Sequence, residues 1–396
     1  MGIPSYNNAR TIGHVVKAVS GGLAKYFPRA RAVVVNSDGG SFDNTQEVVA
    51  QTKVDLDTIL ITHPVNPIHR IVTPYHGIPG KGSALRAIFQ LASTLKAKAC
   101  AVVDADLRSI TPEWMEVLLE PIMERDYDYM APYYLRHKYD GTITNNIVYP
   151  LTRALYGKRI RQPIGGDFGF SGELVEFFLS QSVWETDVAR YGIDIWMTTT
   201  AVARGFKLCQ GFLGAKIHDP KDPVSDLSAM LTQVMGSVFS LMEEYESVWM
   251  GVRGSEPVPI LGFQYEVGLE PVNVSVDKMI ASFRQAVRDL LPVWSTFLPQ
   301  ENLGLLTQLG SQADESFRIP DDLWARVIYD FAVACKRRLI SRDHLLKSLT
   351  PLYLGKTASF VLETQRMSSR EAEGRVEELC RAFEAKKPYL VERWRG

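Results

Sequence analysis

Ala99-Cys100-Ala101-Val102-Val103-Asp104-Ala105-Asp106-Leu107 is the stretch on which the fold turns. Its first five residues are small or β-branched and carry no charge, the composition of a strand buried on both faces. Two carboxylates one residue apart then end it. Side chains at i and i+2 of a strand share a face, so Asp104 and Asp106 are expected to face one crevice. In an open α/β fold that crevice lies outside the carboxyl ends of the parallel strands. Two oxygen donors there suit a hard divalent cation carrying a phosphate. Solvated acids in an ordinary loop are the plain alternative. Thr111-Pro112-Glu113-Trp114 then reads as a helix start, with Thr111 as the cap, Pro112 in the first position and an acid in the first turn.

Composition sets the frame around that stretch. At 396 residues the chain exceeds one average domain. Hydrophobic residues make up 46% and charged residues 22%, which allows a sizeable core. A formal net charge of -1 gives no basic stripe for nucleic acid. Cys100, Cys209, Cys335 and Cys380 form neither a ligand spacing nor a dense disulfide pattern, and fit a reducing compartment, the cytoplasm. No apolar run reaches transmembrane length and no signal peptide opens the chain. Met1-Gly2-Ile3-Pro4-Ser5-Tyr6 reads as the end of a strand and its loop, so the first strand is very short or the sequence begins late.

On the amino-terminal side, Asn8 or Thr11 would cap a helix whose apolar face is Ile12, Val15, Val16 and Val19. Residues 31–36 read as a strand, followed by a turn, Ser37-Asp38-Gly39-Gly40-Ser41-Phe42-Asp43, that feeds a helix. Asp38 at that strand end either receives a base or sugar or builds the turn. Residues 58–62 and 70–73 read as further strands. Gly80-Lys81-Gly82-Ser83 does not meet the phosphate-loop pattern of nucleoside triphosphatases. It still sets Lys81 at a helix mouth, where a lysine and free amides suit an anionic oxygen.

Beyond the central stretch, 128–134 returns to the sheet. Arg136, His137 and Lys138 then stand beside a Gly- and Thr-rich turn, as a receiver for a small carboxylate or phosphate or as a solvated patch. Residues 147–156 are helical in flavour, with Pro150 expected to disturb or kink them. Gln162-Pro163-Ile164-Gly165-Gly166-Asp167 brings paired glycines, and so backbone, close to something. Tyr191-Gly192-Ile193-Asp194 opens a helix with Asp194 in the first turn, where the dipole favours its ionised form. Residues 205–218 form a strand or strand pair ending in His218, with an exit turn over 219–222.

From residue 226 the texture becomes long and helix-periodic. Leu227, Met230, Leu231, Val234, Val238, Leu241 and Met242 share one face. Residues 251–271 form a connector. Helices are expected over 276–291, from 320 onward, over 342–354, 357–365 and 369–385, and Glu392-Arg393-Trp394 reads as a surface tail. The expected division is 1–225 as a catalytic domain and 226–396 as a helical region. Its amphipathic faces would serve intramolecular packing or a homodimer.

Taken together, these motifs resemble the nucleotide-diphospho-sugar glycosyltransferases of the GT-A, Rossmann-like fold. The likeness runs over residues 2–220 and is strongest to the retaining mannosylglycerate and glucosyl-3-phosphoglycerate synthases, glucosylglycerate synthase-like enzymes included. Pro4-Ser5-Tyr6-Asn7-Asn8 and the Ser37–Asp43 turn are common to many such transferases. The QP-aliphatic-GG-acid segment at 162–167 is more telling, and Lys216-Ile217-His218 completes the order. By that resemblance Pro4, Tyr6 and Asp38 would border the nucleoside of a UDP- or GDP-hexose. Lys81 would face the diphosphate, Asp104 the ribose or sugar, and Gly165 and Gly166 the pyranose. Asp106 and His218 would hold Mg²⁺ or Mn²⁺, while Arg136, Thr142 and Thr144 would receive a small carboxylate acceptor. Asp194, Asp167 and Lys81 are the catalytic candidates.

Two departures bear on substrate. Gly141 is followed by Thr142 where the phosphoglycerate enzymes carry arginine, which favours glycerate over a phosphorylated acceptor. Asp167 stands where Glu is common, which leaves the sugar open. An inverting polysaccharide synthase would bring membrane helices and a QxxRW-like motif, and neither is present. A sugar nucleotidyltransferase would bring a richer glycine-and-basic loop than residues 2–10. A non-enzymatic nucleotide-sugar-binding or scaffold protein is the remaining rival.

Overall fold

The computed structural model describes residues 1–53, 69–74, 80–186, 188, 192–217 and 227–396. The expected strand at 58–62, the exit turn at 219–222, Tyr191 and His218 lie outside the described residues. The chain forms two compact units. One comprises Met1–Leu135, Arg161–Asp219 and Val258–Leu269, and the other Arg136–Ile160, Pro220–Pro257 and Glu270–Gly396. The two units interleave along the sequence. Residues 136–160 join the helical unit, and residues 258–269 return to the sheet.

The first unit is built on strands β1 (Gly2–Ser5), β2 (Val33–Asp38), β3 (His69–Pro74), β4 (Ala99–Val102), β5 (Tyr129–Leu135), β6 (Phe168–Ser171), β7 (Leu208–Ala215) and β8 (Ile260–Leu261). They lie in the order β8-β7-β5-β6-β4-β1-β2-β3. Every pairing is parallel except those of β6, which runs antiparallel between β4 and β5. β1 is short: Gly2 to Ser5 register against Val35 to Asp38 of β2, and Gly2 against Val102 of β4.

Alternation along the strands sorts the two faces. Ala101 and Val103 join Ile3, Val34 and Met130 in a core with helices α1 (Ile12–Tyr26) and α4 (Glu113–Glu124). On the aromatic side, Phe170 packs edge-on to Phe89 of helix α3 (Lys81–Thr94) and to Phe178 of helix α5 (Gly172–Leu179). Phe178 in turn meets Trp196 of helix α6 (Ile193–Ala203), with helix α2 being Thr45–Gln51. α4 begins one residue later than expected, at Glu113, and Pro112 rather than Thr111 stands at its cap position.

The second unit is mostly helical, as expected, with one local reading made specific and two changed. The disturbance expected at Pro150 within 147–156 is a change of helix type. A π-helical turn over Thr144–Val148 precedes an α-helix over Tyr149–Tyr156. Pro150 has no N–H for the carbonyl four residues back; that carbonyl, of Asn146, instead accepts from the indole of Trp324 at 2.7 Å. The helices expected at 342–354 and 357–365 are one, Arg342–Thr364. Gly355 marks a close approach rather than a break, since a Cβ there would lie 2.6 Å from the ring of Phe283. Trp394 is no surface tail. It is 3% exposed, edge-on to Trp249, at the end of a helix (Ser369–Arg395) begun by a Ser368/Glu371 capping box.

That last helix is tied down through a buried acid. Asp330 is fully enclosed and accepts from Tyr389 at 2.8 Å and Asn302 at 2.8 Å, with Arg393 Nε 2.6 Å away. Burial outweighs these partners and pushes its pKa up from 3.8 to about 6. A carboxyl whose folded pKa is raised favours the fold most below its unfolded pKa, and that contribution is lost as pH rises through the folded one. Relative to Asp330→Asn, the wild-type chain is expected to lose roughly 3 kcal/mol between about pH 3 and pH 7. Urea unfolding of both proteins across that range checks it; parallel profiles would contradict it.

Candidate active site

The parallel strands β1, β2 and β4 end on one edge of the sheet, and the polar residues follow those ends. Asp38, the last residue of β2, is completely buried. It accepts from Ser5 Oγ at 2.9 Å, Ser41 Oγ at 2.7 Å, Ser41 N at 2.8 Å, Gly40 N at 3.0 Å and Gln46 Nε2 at 2.8 Å. Burial alone would raise its pKa, but these donors carry it below the ordinary value. A carboxylate offers about four lone-pair positions. Asp38 is therefore fully committed to shaping the turn, which exposes Phe42 (80%) edge-on to Tyr6 (58%). Pro4, in β1, is half-buried.

β4 stops at Val102, so strand alternation does not govern Asp104 and Asp106, which stand in the turn beyond it. They part company. Asp104 turns into a cluster of buried charges, whereas Asp106 is half-exposed and makes no hydrogen bond or ion pair with another of the described residues. In the cluster, Lys81 at the first position of α3 donates to Asp104 Oδ1 at 2.8 Å, Asp194 Oδ2 at 3.2 Å and the Gly166 carbonyl at 3.3 Å. Lys216, just past β7, donates to Asp104 Oδ2 at 2.8 Å, the Gly165 carbonyl at 2.8 Å and Asp167 Oδ2 at 2.9 Å. Asp167 also accepts from the Tyr134 hydroxyl and, at 2.8 Å, from the Asp104 backbone N–H.

Three carboxylates around two ammonium groups give each acid a different character. Burial pulls against ionisation of Asp104, but Lys216 and Lys81 outweigh it and hold its pKa well below the usual carboxylate range. Asp167 and Asp194 go the other way: burial dominates, the neighbouring lysine offsets only part of it, and both are raised. Burial would likewise depress Lys81, yet Asp104 and Asp194 keep it above its ordinary value. Both oxygens of Asp167 are engaged and the residue is fully enclosed, so it is not placed to act as a base on a substrate. Asp194 differs in a telling way. Its Oδ2 meets Lys81, while its Oδ1 is buried with no hydrogen-bond partner among the described residues. An ionised oxygen enclosed in that state is costly, and a substrate hydroxyl would satisfy it.

A family model for the glycosyltransferase domain of mannosylglycerate synthase matches residues 15–240, more than half of the chain. The chain belongs to this family. The matched span contains Lys81, Asp104, Asp106, Asp167, Asp194 and Lys216. Among curated proteins no match was found. Among solved structures, glucosyl-3-phosphoglycerate synthase from Mycobacterium tuberculosis, with Mn²⁺, UDP and glucosyl-3-phosphoglycerate, is similar at 21% identity and a TM-score of 0.47, covering 61% of this chain and 78% of that one. Mannosyl-3-phosphoglycerate synthase from Rubrobacter xylanophilus is similar at 21% identity and a TM-score of 0.46, covering 62% and 74%.

This member of the mannosylglycerate synthase family thus carries a GT-A glycosyltransferase domain and a mostly helical carboxyl-terminal region. No helix among its described residues is long and apolar enough to cross a membrane. No group of three or more metal-ligating side chains occurs among those residues either, and His218 lies outside them. The donor set that remains is the Asp106 carboxylate. It fits a small hard cation, which takes one or two carboxylates and completes its shell with phosphate oxygens and water.

The glycines of 165–166 serve the protein's own packing. A Cβ on Gly165 would lie 2.3 Å from Pro132, and one on Gly166, where φ is +93°, 2.2 Å from Asp104 Oδ2. Gln162 spans both backbone groups of Tyr134, accepting from its N–H at 3.0 Å and donating to its carbonyl at 3.3 Å.

In the other unit, Arg136 Nη1 reaches Asp140 at 3.5 Å and lies against Gly141, whose φ is +68°. Thr142 is buried and shares a hydrogen bond of 2.6 Å with the Tyr353 hydroxyl; Thr144, also buried, opens the π-helical turn. Lys138 is no free cation of this group. It caps a helix end by donating to the carbonyls of Thr364 at 2.7 Å, Gln365 at 3.3 Å and Met367 at 2.6 Å.

Motif reading left Lys216 and Tyr134 without a role. The sequence does offer one sign: Lys216 is the first charge after an eight-residue strand, Leu208–Ala215, that carries none. Gly166→Ala is expected to destabilise the chain by about 3 kcal/mol, through overpacking on Asp104 and a left-handed backbone. Chemical denaturation measures this; an unchanged midpoint would show that Asp104 can move aside.

Proposed function

We propose that this chain is a metal-dependent retaining hexosyltransferase. It moves glucose or mannose from a UDP- or GDP-linked donor to a small hydroxy acid, with D-glycerate as the first candidate. The family match supports the reaction class. The observation that carries the rest is the strand-end cluster, in which Lys81, a cation at a helix mouth, bridges Asp104 and Asp194, and the other Asp194 oxygen has no partner among the described residues.

In this reading Lys81 exchanges its carboxylates for the donor's diphosphate, aided by the amides at the start of α3. Asp104 orients the ribose or sugar, and the Tyr6–Phe42 pair with Pro4 borders the base over the turn that Asp38 holds. Asp106, with His218, would hold Mg²⁺ or Mn²⁺, which when bound offsets negative charge on the leaving diphosphate. Asp194 Oδ1 receives the acceptor hydroxyl or a donor sugar hydroxyl. The acceptor oxygen bonds to the anomeric carbon on the face from which the diphosphate leaves, and its proton passes to the leaving oxygen. Enclosure of Asp167 supports this retaining course, because it removes one candidate for an inverting base. Arg136 is assigned to the acceptor carboxylate, with Thr142 and Thr144 framing its turn.

The test is a panel assay on the purified protein. UDP-, GDP- and ADP-linked glucose and mannose are paired with glycerate, 3-phosphoglycerate and glycerol, with Mg²⁺ or Mn²⁺ and with chelator. Mass and NMR are expected to identify an α-glycoside of glycerate that needs the metal; no product together with no nucleotide binding would refute the reading. Asp106→Ala should lower turnover by about a hundredfold or more with the fold intact. Unchanged activity and nucleotide affinity would remove the metal assignment and favour a non-enzymatic binding role. Arg136→Ala should raise the acceptor KM by about tenfold or more, the loss of a charge-assisted hydrogen bond, with the donor KM little changed. Equal effects on both would remove Arg136 from the acceptor.

A further inference from the structure

Asp104 is held from both sides, one oxygen by each lysine. The two lysines are not equivalent. Lys81 is 17% exposed, and its remaining bonds, at 3.2 Å and 3.3 Å, are long. It also stands at the mouth of a helix, where an incoming anion is favoured. Lys216 is 4% exposed, and its bonds to Asp104, the Gly165 carbonyl and Asp167 all fall within 2.8–2.9 Å. Its ammonium lies 5.1 Å from the centroid of the Tyr134 ring. Behind it, Asp167 is itself fixed by the Tyr134 hydroxyl and by the backbone N–H of Asp104. Lys216, Asp167 and the Asp104 main chain thus close a ring that involves no contact with Lys81.

An anion bound at Lys81 would therefore remove one of the two cations on Asp104 and leave this ring whole. We propose that Lys216 is a positioning residue. It keeps the Asp104 carboxylate in place when Lys81 turns to the donor's diphosphate, so one lysine binds and the other holds. The inference rests on the transferase reading and adds to it a residue that none of the metal, phosphate or acceptor assignments uses. A merely space-filling lysine would not separate binding from turnover; this one should.

The experiment compares Lys216→Met with Lys81→Met in the full chain. UDP and GDP binding with Mn²⁺ is measured by calorimetry. Turnover is measured with UDP-glucose and GDP-mannose, as transfer to glycerate or as slow donor hydrolysis. Lys81→Met is expected to weaken nucleoside diphosphate binding by at least tenfold. Lys216→Met should leave that affinity within about threefold yet lower kcat by about a hundredfold, and Lys216→Arg should recover at least tenfold of the loss. Should Lys216→Met fail to fold, Lys216→Met combined with Asp167→Asn removes the ion pair together and should fold with the same kcat defect. Wild-type kcat in the folded variant would overturn the inference. So would a loss of diphosphate affinity matching that of Lys81→Met, which would make Lys216 a phosphate ligand. A wild-type chain without donor turnover would overturn the transferase reading and this inference with it.

Discussion

The ammonium of Lys216 lies 2.8 Å from Asp104 and 2.9 Å from Asp167, with almost no access to water. Charges taken that far from solvent are tolerated only when their partners are close and well directed. Here they are: Tyr134 and the Asp104 N–H complete the shell of Asp167, and the Gly165 carbonyl takes a further ammonium proton. The arrangement constrains the backbone around it. Gly166 must be glycine because Asp104 occupies the space of a side chain, and Gly165 because Pro132 does. Strand ends β4, β5 and β7, and the turn entering β6, are thereby drawn to one point of the sheet edge.

Charge distribution within the cluster then sets roles. One carboxylate is in excess over the ammonium groups, and the excess falls on Asp194, whose second oxygen is enclosed without a partner among the described residues. Asp104, flanked by two lysines, stays ionised and available for oriented hydrogen bonds; Asp167, sealed in, is structural. Preorganised groups of this kind act where charge develops, and need little rearrangement when it does. Lys81, the more exposed of the two cations, is the member of the cluster best placed to change partners.

Much of this was legible in the residues. Uncharged β-branched runs marked the strands, capping residues and glycines marked the turns, and Asp104 at the end of 99–107 marked the charged cluster. What was not legible depended on contacts distant in sequence. Strand alternation made Asp104 and Asp106 equivalent, but β4 ends before them, and only Asp104 meets the lysines. Asp38 looked equally able to bind a nucleoside or to build a turn, until Gln46 and Ser5 were seen to fill its lone pairs. Lys216 read as part of a motif because its partners, Asp104 and Asp167, lie 112 and 49 residues away. At Pro150, and at the gap expected between residues 354 and 357, the deciding contacts come from Trp324 and Phe283.

The central claim is that the edge bearing Lys81, Asp104, Asp106 and Asp194 is where a nucleoside diphosphate and its metal bind. A crystal structure of the chain grown with UDP or GDP and Mn²⁺, phased to show the anomalous signal of manganese, tests it directly. The account predicts a manganese peak within coordination distance of the Asp106 carboxylate, the diphosphate against Lys81, and Asp104 still bonded to Lys216. Manganese and nucleotide bound elsewhere, with Lys81 still joined to Asp104, would contradict it.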